Sequence, residues 1–568
     1  MQSTDMKKTT LLITLLLLLV AAGAAVWFFA RTGVPVGEVA ELAATGGDRV
    51  LREPMRAPGP GAKVLFVALD GVGYDELGRM LREARMPSLN GLLGASQGDA
   101  FEHGLVARLV SILPSTTMAA WASVYTGAPP AETGVTGNEW FARDEQRFYA
   151  PAPVSVQEYT HTVRMLTDGL MGEAIRVPTL FEQLDRRAFV ALAPVYRGAD
   201  LFMTPAPEAV GGLFLNAARG VAGGESISRE AYSEVDEETV ENLVEAIEAH
   251  GVPDLQVVYF PGIDLYTHVT EDPIEKERDY LGDVIDPLIG EILDTYREAG
   301  ALEQTYVVVT ADHGHTPVLE DDRHALGVEG EDEPSALLER AGFRVRPARL
   351  DLGEDEEDFQ AAVAYQGAMA YIYLADRSGC ARPGSRCDWR RPPRLREDVL
   401  EVAHAFFEAN ETGAGIAALK GTLDLVLARA PRSVDEPSLP FEVYDGRELV
   451  PVEDYLGRHP RPDLIRLEER LRWLAAGPYG HRAGDVLLIA KSGQERPIED
   501  RYYFSTEYRS WHGSPSGQDS YVPLLVAHPS RTGAELRAEL EQVLPDGLSQ
   551  LDVVPLLLSL VGQEGAAR

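Results

Sequence analysis

The chain has 568 residues, 45% apolar and 25% charged, which excludes a disordered protein and leaves room for two or more cores of ordinary size. Its 89 acidic residues against 52 basic ones give a formal net charge of −37. Such a surface repels nucleic acid and anionic headgroups, which are bound mainly through Lys and Arg, so no nucleic-acid partner is expected.

Lys7 and Lys8 precede Leu11 to Ala30, an apolar stretch whose only polar side chain is Thr14. Its length suits a bilayer crossing, which needs about 20 residues, better than a signal h-region of about 7–15. Trp27, Phe28 and Phe29 suit a membrane interface, and the two lysines place the N-terminus in the cytoplasm. A membrane anchor over 1–31 is expected. Ala22-Gly23-Ala24 also fits a signal cleavage site, and either reading puts the rest of the chain outside the cytoplasm, in the periplasm or at the cell surface. Residues 32–62, ending in "RAPGPGA", read as a linker.

Apolar, β-branched runs then recur: "VLFVALDG" (64–71), "FVALAPV" (189–195), "LQVVYFPG" (255–262), "TYVVVTADHG" (305–314), "DVLLIAK" (485–491) and "YVPLLVAHP" (521–529). Amphipathic helical stretches such as 237–250 and 283–300 lie between them. Near-continuous apolar strands are buried on both faces, so an α/β fold is expected, with a central, mostly parallel sheet flanked by helices on both faces. From 319 to 480 the pattern changes to acidic runs, one strand ("AMAYIYLAD") and "SGCARPGSRCDW". This predicts an inserted α+β cap carried by a core of 63–318 and 481–568. Cys380 and Cys387, the only cysteines, are spaced to close a small disulfide loop or to stand as two free thiols.

Ligands of open α/β sheets sit beyond the carboxyl ends of the strands. Asp70 ends the first run, Asp264 and His268 follow "VVYFP" at an i, i+4 spacing, and Asp312 and His313 end "VVVTA". His512 stands in a Gly- and Ser-rich loop ahead of the last run. Each has an ordinary alternative: a helix cap for Asp70, a surface ion pair for 264 and 268, a satisfied buried pair for 312 and 313, a loop histidine for 512. Together they make three Asp and three His, enough for two zinc-like ions with positions left open for substrate. Thr116 and Thr117, behind Pro114 at the start of a small-residue helix, are rivals for helix cap and metal-activated nucleophile.

"VLFVALDG", "PSTTMAAWASVYTGAPPAETGVTGN", "GIDLYTH", "TADHGHT" and "HGSPSGQDSYVPLL", in that order, resemble the alkaline phosphatase superfamily, and within it the type I phosphodiesterase and nucleotide pyrophosphatase branch. "HRAGDVLLIA" (481–490) resembles the strand before that branch's last metal histidine. The likeness spans roughly 61–320 and 481–568 and implies an alkaline-phosphatase-like core. It selects Thr117, nine residues before Thr126, as nucleophile, and Asn138, 21 residues further on, as the holder of a phosphoryl oxygen. It assigns Asp264, His268 and His512 to one zinc, and Asp70, Asp312, His313 and the Thr117 oxygen to the other, with His315 supporting the site. Manganese is the alternative metal. The implied chemistry is in-line attack by Thr117 on a small phosphoester, through a phospho-threonine that water then hydrolyses.

Two dications against three carboxylates and one alkoxide leave the site near neutral, which favours a diester's single charge over a monoester's two. Nucleotide-cleaving members carry an aromatic residue and a Pro-Asn-His run after the nucleophile; Met118, Ala119, Ala120 and Trp121 stand there instead. The leading expectation is an extracytoplasmic, membrane-anchored, two-zinc phosphodiesterase or pyrophosphatase. A phosphomonoesterase or a phosphoethanolamine- or phosphoglycerol-type transferase is the alternative within this chemistry. A catalytically silent, metal-stabilised surface binding module is the alternative outside it. The sequence sets no oligomeric state.

Overall fold

The computed structural model of the chain describes residues 47–97, 100–152, 161, 164–165, 169–205, 228–327, 333–347, 359–505, 507–543 and 547–563. The expected anchor over 1–31 lies outside them. Among the described residues no helix is long and apolar enough to cross a membrane.

In chain order the main strands are β1 (Gly47–Val50), β2 (Lys63–Leu69), β3 (Gly104–Val110), β4 (Ala188–Ala191), β5 (Leu201–Thr204), β6 (Leu255–Phe260) and β7 (Thr305–Ala311). They continue as β8 (Ala361–Tyr365), β9 (Met369–Leu374), β10 (Leu423–Ala428), β11 (Glu442–Tyr444), β12 (Leu449–Val450), β13 (Val486–Ala490) and β14 (Tyr521–Ala527). The larger sheet runs β1-β5-β4-β6-β2-β7-β14-β3 and ends in two short strands, 100–101 and 96–97. Its centre, β5-β4-β6-β2-β7, is parallel, while β14 is antiparallel to both β7 and β3. Every residue of β6 and β7 is buried, so both faces of the sheet are covered, as the continuous apolar runs predicted. Five helices matter for the site and its supports: α1 (Thr117–Val124), α2 (Glu230–His250), α3 (Gly262–Val269), α4 (Asp286–Glu298) and α5 (Leu467–Ala475).

The second sheet, β8-β9-β13-β10-β11-β12, is antiparallel throughout. It departs from expectation at one strand. The run 485–491, read as part of the core, supplies β13, which pairs with β9 and β10 of the second sheet. A fully buried strand has the same composition in either sheet, so its run could not say which sheet it joins. The N-terminal side departs too. Residues 47–50, expected as linker, form edge strand β1 against β5, and Arg56 pairs with the buried Asp200 at 2.8 Å. Cys380 and Cys387 are joined as a disulfide.

Candidate metal centre and active site

The parallel strands point their carboxyl ends at one edge of the sheet. Asp70 follows β2, α3 with Asp264 and His268 follows β6, and Asp312 and His313 follow β7. Thr117 opens α1, which follows β3, and β3 runs parallel to β7 because both are antiparallel to β14. The same reversal explains His512. It precedes its strand, since β14 enters the sheet at the edge where the others leave it.

All seven predicted ligand residues come together, each no more than 5% exposed. Asp264, His268 and His512 place one ligand atom each within 4.8 Å of one another, and so do Asp70, Asp312 and His313. Within the clusters His268 Nε2 lies 3.3 Å from Asp264 Oδ2, and His313 Nε2 lies 3.5 Å from Asp70 Oδ1 and 3.3 Å from Asp312 Oδ2. The Thr117 hydroxyl is 3.3 Å from His313 Nε2.

The tautomers follow from the outer ring atoms. His268 Nδ1 donates to the carbonyl of Ser510 at 2.7 Å and His512 Nδ1 to that of Ser115 at 3.0 Å, so both rings turn a bare Nε2 lone pair inward. Neither Nε2 has a hydrogen-bond partner, and the same holds for Oδ1 of Asp70, Oδ1 of Asp264 and Oδ2 of Asp312. Five buried acceptors aimed at one another without donors are costly unless cations lie between them. The residues present therefore fit a pair of metal ions. His315 differs: Thr267 Oγ1 lies 2.9 Å from its Nε2 and Ser510 Oγ 3.1 Å from its Nδ1, so hydrogen bonds already occupy both nitrogens.

The electrostatics of the bare cluster agree. Burial, with Asp312 and Asp264 close by, pushes the Asp70 carboxyl well above the usual range, and burial pushes Asp312 up to about 7. Burial drives His313 down to about 3, and burial with the neighbouring His313 drives His512 well below its ordinary value. Burial works against ionisation of Asp264 too, but the imidazoles of His268 and His315 beside it outweigh burial and hold that carboxyl low. Among the described residues, the ion-pair partners of these three carboxylates are all histidines.

The helix-cap alternatives for Thr116 and Asp70 both fail. Thr116 holds the N-cap position of α1, yet its hydroxyl makes no capping bond and is buried without a partner. The first turn is capped instead by Asn138, whose Oδ1 accepts from the Met118 N–H at 2.9 Å. Asp70 is not a helix cap either; the next helix, 74–82, starts behind Gly73. Gly71, between Asp70 and that helix, has a φ of +70°, and a Cβ there would strike His315.

Several supports escaped the sequence reading. Tyr259, inside β6, donates its hydroxyl to Asp70 Oδ2. Asp519 accepts from Ser514 N–H at 3.0 Å and Thr316 Oγ1 at 2.6 Å, tying the His512 loop to the segment that follows His313 and His315. Arg470 of α5 donates to Ser115 Oγ at 2.7 Å and to Ile112 O and Ser520 Oγ at 2.8 Å each. Asp519 shares its motif with His512 and was within reach of pattern reading; Tyr259 and Arg470 carried no such signal.

Known proteins share this fold. The chain matches the structure of human ectonucleotide pyrophosphatase / phosphodiesterase 5 with a TM-score of 0.50 at 12% identity, over 89% of this chain and 96% of that one. It also matches phosphonoacetate hydrolase from Sinorhizobium meliloti 1021, solved with phosphonoformate, with a TM-score of 0.47 at 17% identity, over 91% and 99%. These likenesses concern the fold. No curated protein matches the sequence significantly. The family model described as type I phosphodiesterase / nucleotide pyrophosphatase matches residues 64–375, more than half of the chain, and takes in Asp70, Thr117, Asp264 and Asp312. The chain is accordingly a member of the type I phosphodiesterase / nucleotide pyrophosphatase family, a hydrolase of phosphoester bonds.

Proposed function

We propose that the chain is an exported, two-metal phosphodiesterase with Thr117 as nucleophile and Asn138 as the holder of a phosphoryl oxygen. The observation that carries this reading is the set of five unpartnered acceptors on Asp70, Asp264, His268, Asp312 and His512, gathered beside one buried hydroxyl. Asp264, His268 and His512 would hold one cation; Asp70, Asp312, His313 and the Thr117 oxygen would hold the other. Mixed carboxylate and imidazole donors favour zinc, with manganese the alternative. Bound there, the two ions would neutralise phosphoryl charge and lower the pKa of the attacking hydroxyl.

Thr117 Oγ forms a bond to phosphorus in line with the departing ester oxygen, which leaves as an alcohol. The phospho-threonine is then cleaved by water, restoring the threonine hydroxyl and releasing a phosphomonoester. Asn138 is bonded to the N–H of Met118, the residue next to the nucleophile, and its side-chain amide would donate to the equatorial charge developing at phosphorus. Among the described residues no Lys or Arg pairs with the three carboxylates, whose ion-pair partners are histidines, so the site suits the single charge of a diester. Export is supported by the apolar stretch 11–30 behind two lysines and by the Cys380–Cys387 disulfide, which belongs to an oxidising compartment.

The test is hydrolysis of an aryl phosphodiester by the purified chain, before and after exhaustive chelation, with zinc or manganese added back. Activity should vanish with the metal and return with zinc, and His512→Ala should bind fewer than two ions per chain. Undiminished turnover by metal-free protein would refute the reading.

A further inference from the structure

The second sheet reaches into the site through one three-residue turn. β8 and β9 form a hairpin closed by the Gln366 N–H donating to Met369 O at 2.7 Å, with Gln366, Gly367 and Ala368 at its tip. Gln366 is buried, and both ends of its side-chain amide are committed. Its Oε1 accepts the Asn138 backbone N–H at 2.7 Å, and its Nε2 donates to the carbonyl of Glu139. The amide thus grips the 138–139 stretch as a neighbouring strand would. A Cβ on Gly137 would overlap Gln366 Oε1, so this approach requires glycine.

The other flank of the tip meets the metal side. Ala368 N–H donates to His512 O at 3.0 Å. Gly367 and Gly513 have φ of +65° and +100°, and a Cβ on either would strike the backbone of His512 or Gln366. The tip is anchored behind by Phe504 N–H to Gly367 O at 2.7 Å and by Ala490 N–H to Ala368 O at 2.9 Å. A turn of the second sheet is thereby wedged between Asn138 and His512.

We propose that Gln366 is a positioning residue for Asn138, so that the second sheet forms part of the catalytic machinery instead of covering it. The amide of Gln366 fixes the backbone at 138, and that backbone fixes the side chain that bonds Met118 N–H beside Thr117. The inference rests on Asn138 holding a phosphoryl oxygen, as proposed above.

A double-mutant cycle in the full chain tests it, with kcat and KM for an aryl phosphodiester, metal content and thermal midpoint all measured. Gln366→Met keeps the volume and removes both hydrogen bonds. It should lower kcat by about tenfold to a hundredfold, the scale of a misplaced catalytic group, with KM and metal content unchanged. In an Asn138→Ala background the same substitution should add less than about threefold, because its effect passes through Asn138. If Gln366→Met is unfolded at the assay temperature, Gly137→Ala, which pushes a methyl into Gln366 Oε1, is measured in its place with the same expectations. An unchanged kcat, a full further loss in the Asn138→Ala background, or loss of metal would each overturn the proposal. Wild-type activity of Asn138→Ala would overturn the phosphoryl-oxygen reading itself; that result is separable from one in which Asn138→Ala is impaired and Gln366→Met is not.

Discussion

His313 aims Nε2 at the hydroxyl of Thr117 from 3.3 Å, with Asp312 and Asp70 oxygens at 3.3 and 3.5 Å from the same nitrogen. The hydroxyl therefore stands where a cation held by these residues would reach it. Thr117→Ala should lower turnover of an aryl phosphodiester by at least about a thousandfold, as removal of a nucleophile does elsewhere. Five of the six Asp and His ligands do not depend on Thr117 for their orientation, so metal content by mass spectrometry should stay near wild type. Turnover within tenfold of wild type would remove Thr117 from its role.

Thr116, one residue earlier, should behave differently. Its hydroxyl is buried with no partner and caps nothing. Removing an unsatisfied buried hydroxyl relieves a desolvation cost, so Thr116→Ala should be neutral or stabilising in urea denaturation, by up to about 1 kcal/mol. Activity should remain within a few-fold of wild type. Complete inactivity would shift the nucleophile assignment by one position.

How much of this was legible in the sequence depends on how local each signal is. The runs that became β2, β6 and β7 are continuous apolar stretches because both their faces are buried, and the candidate metal ligands come soon after them. Strand direction leaves no such trace, so nothing in "YVPLLVA" told that β14 runs against its neighbours. β3 was hidden by Arg108, whose guanidinium lies 4.0 Å over the Tyr521 ring and breaks the apolar pattern. In the site, Asp and His at strand ends announce themselves by type and spacing. Gln366 and Arg470 do not, because they act on residues 228 and 355 positions away through single contacts that no local pattern encodes.

The positions that would hold a stacking aromatic are spent on the core. Met118 is 1% exposed and Trp121 fully buried, with the indole 5.6 Å from the rings of both Tyr125 and Tyr259. Neither side chain is available to a nucleobase. A thymidine aryl phosphodiester and a plain bis-aryl phosphodiester should then be hydrolysed with kcat/KM values within about tenfold, because a stacked base is worth roughly 1–3 kcal/mol. A preference of a hundredfold or more for the nucleotide would mean that another aromatic surface does the stacking.

Asp236 on α2 supports α3, the helix that carries Asp264 and His268, from behind. It accepts from Gly262 N–H at 3.2 Å and from the Tyr280 hydroxyl at 2.8 Å. Burial pushes its carboxyl up to about 7, against those two hydrogen bonds. The unfolded chain releases this proton near its ordinary value of about 3.9. Between the two values the native state binds more proton than the unfolded state, so this contribution is present at low pH and lost as pH rises through about 7. Asp236→Asn cannot titrate. Relative to wild type its stability should be nearly constant below pH 4 and should gain by up to about 4 kcal/mol by pH 8. A difference independent of pH in urea denaturation would remove Asp236 as the source.

Arg470 should couple stability to the proposed metal binding. It is fully buried, burial pushes its pKa down to about 9, and it spans Ile112, Ser115 and Ser520. Ser115 in turn accepts the Nδ1 proton of His512 on its carbonyl, which keeps the His512 Nε2 lone pair turned inward. Arg470→Met fills much of the same volume and leaves those three oxygens without their donor, at a cost of roughly 3 kcal/mol. The same loosening should weaken zinc binding, because partners that orient a ligand histidine commonly contribute about tenfold or more to affinity. Urea denaturation and competition with a zinc chelator measure the two effects separately. A loss of stability with unchanged zinc affinity would confine Arg470 to packing, whereas a parallel fall in both would trace the metal site's geometry back to a helix outside the larger sheet.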